Sequence, residues 1–381
     1  MSDKYAEAGV NVSAGDAFSA FAGDLCKTTF NNCQFVEFHD LSKNKGGASF
    51  RSPKPFSITE GRGFYQDAAP DGVGTKVGLY DAARKNHLAA HDLVAMTAGD
   101  ITRQGGLPAS IVNILSVRSL GEPGSPLFMV FQAMMRELVA VGNRLNMVVH
   151  KGETAEKGAF VGTDNPHARA PFDWEAVVTG ICHPHKIIYG DRVQAGDVVI
   201  ALKENGFRSN GISLVRKAFQ KHYGADYQIN GSAQSDLDKA TEPSVLYDPL
   251  LTTAHGWYEN GLQPLFDLRL IAHLTGGGIE KFVELLRPTG LSANLFDLYE
   301  PPDIMARCGE WMDVSQHEFY RTWNGGQGML VVVPHHEGVD FMNFAGTYGI
   351  DAKVCGLIRE SETTSVTINS KYKRGGELTY N

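Results

Sequence analysis

Asp71-Gly72-Val73-Gly74-Thr75-Lys76 places a carboxylate, two glycines, a hydroxyl and an ammonium in one short stretch. Glycines let a backbone come close to a ligand, and a lysine meets phosphate oxygens as a point charge. The aspartate at the other end can hold magnesium. The segment is not a P-loop, because Thr75 precedes the lysine where that motif requires glycine. Taken alone, a turn containing Asp-Gly is more often only a turn. Two further acids extend the pattern. Asp100 falls in a predicted helix and Glu153 in a loop that follows a short strand. Magnesium takes one or two carboxylates together with waters and substrate phosphates, so Asp71, Asp100 and Glu153 can supply such a set from three elements. Their spacing equally allows three solvated surface acids.

Gly276-Gly277-Gly278 precedes a predicted helix and can act as an anion cradle, since free N–H groups at a helix start favour phosphate; a plain loop is the alternative. His273 and Thr275 flank it. Ser209-Asn210-Gly211 combines a turn signal with a helix cap, and Asn324 opens a glycine-rich polar loop before a strand. Other signatures fail. His317-Glu318-Phe319-Tyr320-Arg321 has arginine where a second zinc ligand would stand, and there is no G-x-S-x-G elbow.

The elements that must position these residues read as two mixed α/β series. Residues 88–104 have helical periodicity ending at Gly105-Gly106, and 127–145 form a long amphipathic helix. Strands are expected over 110–117, 146–150 and 175–182. A connector with Pro184, Gly190 and Gly196 follows. Beyond it come a strand at 197–202, a helix at 211–222, a polar stretch at 224–243 and a helix after the glycine run to Leu286. A strand at 329–333, a helix at 338–348 and a strand at 352–358 complete the series. Residues 371–381 are polar and expected to fray. The length of 381 residues also suits two domains, 1–185 and 186–381.

Bulk composition narrows the function. A formal net charge of -8 argues against general affinity for nucleic acid or anionic membranes. Apolar runs such as 329–333 are too short to cross a bilayer. Cys26, Cys33, Cys182, Cys308 and Cys355 are odd in number and lack C-x-x-C spacing, which favours free thiols in a reducing compartment. The N-terminus has no signal-peptide core. A cytoplasmic protein acting on small molecules is the expectation.

An ordered set of segments resembles the phosphoribosylformylglycinamidine cyclo-ligase (AIR synthetase) family. It comprises Tyr5 to Val10, Asp71 to Lys76, Asp92 to Met96, Gly152 to Glu156, Ser209 to Arg216, Ala272 to Gly278, Glu318 to Asn324, and Gly328-Met329. The resemblance implies an α/β (α+β) fold of two domains and a homodimer whose N-terminal sheets join into a barrel. It also implies a reaction of purine biosynthesis. ATP activates the formyl-amide oxygen of formylglycinamidine ribonucleotide, a neighbouring amine closes the ring, and aminoimidazole ribonucleotide, ADP and phosphate leave. Such chemistry depends on positioning and charge neutralisation. By that similarity Asp71, Asp100 and Glu153 hold Mg2+. Lys27, Gly46, Gly47, Gly72, Gly74, Thr75, Lys76, Gly276, Gly277 and Gly278 meet ATP and its phosphates. Arg208, Ser209, Asn210, Thr275 and Asn324 line the nucleotide substrate, and His273 is the expected catalytic base. The sequence departs from the family at Gly99, where asparagine is usual, at Lys151, where glycine is usual, and at Arg208, where histidine is usual. Alternative readings are another ATP-using member of the superfamily (selenophosphate synthetase, thiamin-phosphate kinase or formylglycinamidine ribonucleotide synthetase) and a non-catalytic nucleotide-binding paralogue.

Overall fold

The computed structural model describes residues 36–38, 56–58 and 63–381. Two sheets organise the chain. The first contains β1 (Val36–Phe38), β2 (Phe56–Ile58), β3 (Tyr65–Gly72), β4 (Leu107–Val117), β5 (Val148–Glu156) and β6 (Phe172–Cys182), in the order β1-β2-β3-β6-β4-β5. Its pairings are antiparallel except for β4 with β5. The second contains β7 (Val198–Lys203), β8 (Leu270–His273), β9 (Ser292–Leu295), β10 (Gln327–Val333), β11 (Ala352–Arg359), β12 (Val366–Ser370) and β13 (Gly376–Tyr380), in the order β13-β12-β9-β11-β7-β10-β8. The helices that matter for the site are α1 (Val77–Ala83), α2 (Ala89–Thr102), α3 (Pro126–Arg144), α4 (Ile212–Tyr223), α5 (Gln234–Ala240), α6 (Asp248–Ala254) and α7 (Glu280–Leu286).

Sequence explains these elements locally. In β6, Phe172, Trp174, Ala176 and Val178 are buried while Asp173 and Glu175 are exposed, the period-two pattern of a sheet with one covered face. Helix α3 starts on Ser125, whose hydroxyl accepts from the Phe128 N–H, with Pro126 in the first turn. Its stripe Phe131, Met134, Leu138 and Val141 packs inward. Helix α2 is buried nearly all round, as its run of alanine, leucine and valine requires. It lies against β3 and β6 on one side and α6 on the other. The central strands β7 and β10 are apolar along almost their whole length and buried on both faces.

Two expectations need correction, and a third stretch gains a helix. Glu153 lies within β5, not in a loop, because β4 pairs with this polar run through to Val117–Glu156. The stretch 224–243 contains α5, which buries Leu237 and Ala240. Residues 376–380 are not frayed: they form β13, paired with β12 from Ser370–Gly376 to Val366–Tyr380, and Tyr380 is buried. Among the described residues no helix is long and apolar enough to cross a membrane, and Cys182, Cys308 and Cys355 are buried free thiols.

Candidate functional site

Asp71 sits at the end of β3, on the same face as Asp67 and the buried Ala69, facing α2. Its carboxylate accepts from the Gly72 N–H at 2.7 Å. The residue reaches solvent, yet crowding by surrounding protein pushes its carboxyl up to about 6, with the Asp100 charge adding and Lys281 opposing. Beyond it, Gly74 turns with φ +60° and Gly74–Lys76 form a single 3-10 turn. A β-carbon on Gly74 would lie 3.7 Å from the Ser209 carbonyl, and Thr75 Oγ1 is 3.5 Å from Ser213 Oγ. The first glycine turn therefore abuts the loop that opens α4.

Lys76 corrects the expectation of a phosphate contact. It is fully buried, its Nζ lies 2.7 Å from Asp92 Oδ2 and donates to the Glu242 carbonyl at 3.1 Å. Asp92 also accepts from Tyr80 Oη at 2.8 Å and from Ser244 N at 2.9 Å. Burial pushes the Asp92 carboxyl up, but the Lys76 ammonium and these hydrogen bonds bring it below the usual carboxylate range. The lysine ties α1 and α2 to the 242–244 segment.

At the C-terminal end of α2, Asp100 Oδ1 accepts from Arg103 Nε at 2.9 Å and faces His273 Nδ1 at 3.2 Å. Burial pushes its carboxyl up, but Arg103, His273 and Lys281 hold it far below the ordinary range. Its side chain keeps 39% of its surface exposed, so it remains open to a ligand. His273, at the end of β8, is almost wholly buried, and Arg208 Nη2 lies 2.6 Å from its Nε2. Burial, reinforced by Arg208, pushes the imidazole down to about 3. The expected catalytic base is thus neutral with both nitrogens engaged. Arg208 also departs from its expected place at substrate: it is 1% exposed, paired with Glu204 Oε2 at 2.7 Å, and donates to the Ala95 carbonyl at 3.2 Å.

The loop after β8 completes the cleft. Gly276 packs close to Asn210, whose Nδ2 would lie 3.0 Å from a β-carbon there. Gly277 and Gly278 take positive φ of 88° and 50°, and Gly278 is pressed onto the Tyr320 carbonyl. Thr275 Oγ1 accepts from Lys281 Nζ. Ser209 Oγ and Asn210 Oδ1 are buried atoms without a hydrogen-bond partner among the described residues. Such atoms are costly unless a ligand or water meets them.

Two other expected contacts lie elsewhere. Gly72, Glu175, Ile114 and Glu153 form one row across β3, β6, β4 and β5. Glu153 therefore lies on the face opposite Asp71, three strands from Gly72, about 14 Å at ordinary strand spacing. Among the described residues no three His, Cys, Asp or Glu side chains gather as a metal group. The expected trio is not assembled within one chain; Asp71 and Asp100 alone are neighbours. Asn324 is buried and already engaged with backbone, donating to the Gly206 carbonyl at 2.9 Å and accepting from the Gly326 N–H at 2.8 Å. Lys27, Gly46 and Gly47 lie outside the described residues. Arg103, Glu204 and Lys281 were not singled out from sequence. Arg103 stands one helical turn from Asp100, a spacing that marks it, whereas Glu204 and Arg208 lie in the loop after β7, where a four-residue spacing carries no such signal.

Comparison with known proteins bears out the resemblance. Residues 194–369 match the AIR synthase related protein, C-terminal domain. The phosphoribosylformylglycinamidine cyclo-ligase of Alkaliphilus metalliredigens is 26% identical over 94% of this chain and 96% of its own. That of Pyrococcus horikoshii is 28% identical over 81% of this chain and 84% of its own. Among solved structures, AaThiL complexed with AMPPCP and TMP superposes with a TM-score of 0.52 at 11% identity, covering 86% of this chain and 90% of that one. The fold is that of the AIR-synthase-like proteins.

Proposed function

We propose that this chain is an ATP-dependent cyclo-ligase that converts formylglycinamidine ribonucleotide to aminoimidazole ribonucleotide, with release of ADP and phosphate. The observation that carries the reading is the convergence of three turns, Gly74-Thr75, Ser209-Asn210 and Thr275 to Gly277, beside the neighbouring acids Asp71 and Asp100. It occurs in a chain similar to cyclo-ligases over most of its length.

Mg-ATP fits the residues present. Asp71 and Asp100 offer hard oxygen ligands, Lys281 brings positive charge to both, and Ser209 Oγ and Asn210 Oδ1 are buried without partners. ATP would supply the phosphoryl group that turns the formyl-amide oxygen into a leaving group. The chain's own part is to hold amine and amide carbon together, keep water from the cleft and neutralise phosphate charge. Asp71, whose free carboxyl burial pushes up to about 6, would meet magnesium as a carboxylate. His273 enters as a fixed neutral group beside Asp100, and Lys76 as a structural cation. We further take 1–185 and 186–381 as the two domains, the protein as cytoplasmic, and a second copy as the cover for the open face of the first sheet.

Purified protein is expected to release ADP only with Mg2+, ATP and formylglycinamidine ribonucleotide together, and Asp71→Ala to abolish turnover while leaving the unfolding midpoint in place. Absence of ADP release with that substrate, alongside measurable Mg-nucleotide binding, would refute the cyclo-ligase assignment. Release with thiamin phosphate instead would transfer the reading to another member of the superfamily.

A further inference from the structure

We propose that Arg208 is a positioning residue that acts through His273 to aim Asp100 into the cleft, and that the missing side chain at Gly99 is the space this relay requires. The claim that Asp100 then serves a magnesium nucleotide rests on the function proposed above; the relay itself does not.

Hydrogen-bond chemistry fixes the direction of each step. Arginine has donors and no acceptor, so the 2.6 Å approach of Arg208 Nη2 to His273 Nε2 requires that nitrogen to be unprotonated. A carboxylate accepts, so the 3.2 Å contact between His273 Nδ1 and Asp100 Oδ1 requires the proton to sit on Nδ1. One tautomer satisfies both. The guanidinium is in turn held through its other nitrogen, Nη1, by Glu204 Oε2 at 2.7 Å, while Nη2 also donates to the Ala95 carbonyl at 3.2 Å. The chain Glu204–Arg208–His273–Asp100 thus runs from the buried interior to a carboxylate that retains solvent access.

Gly99 supplies the room. A β-carbon there would lie 2.7 Å from His273 Cε1 and 3.1 Å from both ring nitrogens. Glycine inside a helix ordinarily costs stability relative to alanine. Its presence within α2 is explained by the ring that occupies its side-chain volume. Gly99 and Arg208 are therefore one structural feature: a guanidinium that drives the imidazole toward α2, and a helix position emptied to receive it. The purpose resembles that of the groups that orient ligating side chains in metal sites, whose loss typically weakens metal binding about 10- to 100-fold.

Two measurements on the full chain test the proposal. In 15N-histidine NMR at neutral pH, the signal lost in His273→Ala is expected to report a proton on Nδ1 and none on Nε2; a proton on Nε2 would overturn the relay. In Mg2+ titrations of AMPPCP binding, Gly99→Ala is expected to raise the half-saturating Mg2+ concentration about 10-fold. The same substitution in a His273→Ala background is expected to add nothing, because the ring it strikes is gone. Equal effects of Gly99→Ala in both backgrounds, or no effect in the wild-type background, would overturn the coupling. A wild-type protein with no Mg2+-dependent AMPPCP binding would overturn the role of Asp100 and the nucleotide reading, while the NMR result still decides the relay.

Discussion

Lys76 shows how far residue type and residue direction can part. Its place after a glycine turn suits a phosphate contact, but the 3-10 turn at Gly74–Lys76 sends its side chain into the interior, where Asp92 waits. A buried pair of this kind is costly to break, because the remaining charge has no water to turn to. Lys76→Met is therefore expected to lower unfolding free energy by about 3–5 kcal/mol, measured by denaturant titration. A phosphate-binding lysine would instead lose nucleotide affinity with little change in stability, and that result would reject the structural role. The gathering of Asp71 with Asp100, and of the Ser209-Asn210 turn with Gly74 and Gly276, agrees with what residue type and order suggest. The burial of Arg208 and Asn324 was not legible there, because their partners, Glu204, Ala95, His273 and the Gly206 carbonyl, belong to other elements or to backbone groups that spacing does not reveal. Lys281 carries no local signal for a similar reason: its influence on Asp71 and Asp100 reaches them through space from α7.

At the scale of elements, legibility followed the strength of the local pattern. Helix α3 is legible nearly to its ends because a full apolar stripe marks it, and the structure adds the Ser125 cap with Pro126 in the first turn. Strand β5 was read short because His150 to Glu156 has almost no apolar alternation; what extends it is backbone pairing with β4 at the sheet edge. Strand β13 was missed outright, since its sequence Gly376-Glu377-Leu378-Thr379-Tyr380 is largely polar and exposed. Its anchor is Tyr380, which is 5% exposed, reaches the His317 carbonyl through its hydroxyl at 3.2 Å, and belongs to the main core of the second sheet. Removing so large a buried ring leaves a cavity as well as an unpaired carbonyl. Tyr380→Ala is expected to cost about 3–5 kcal/mol by thermal or denaturant unfolding. A frayed tail would tolerate the change without measurable effect, so an unchanged midpoint would contradict the strand.

The whole molecule has one covered and one open side to its first sheet. Helices α2 and α3 cover the face of Ala69, Ile111, Trp174 and Val178. The other face exposes Ile114 at 49%, in register with Glu175 and Glu153, and β5 begins with Val148 at 61%. The two sheets are joined to each other on the covered side, by Lys76 with Asp92 and Glu242, by Arg208 with Ala95, and by Thr102 Oγ1 with Asp248 Oδ1 at 2.5 Å. Among the described residues those ties fix the cleft without recruiting the open face, which is where the proposed second copy would pack. An isologous contact over this face would bury the exposed Ile114 of each copy, so a charge introduced at that position must be desolvated in both. Ile114→Asp is accordingly expected to convert a dimer into a monomer in sedimentation velocity at micromolar concentration, while the unfolding transition of the second sheet persists. A wild-type protein already monomeric under those conditions, or a dimer unmoved by the substitution, would place the contact elsewhere. The position of Glu153 makes the distinction matter for chemistry too: it lies on this open face, away from Asp71, and so is not part of the cleft that Asp71 and Asp100 share within one chain.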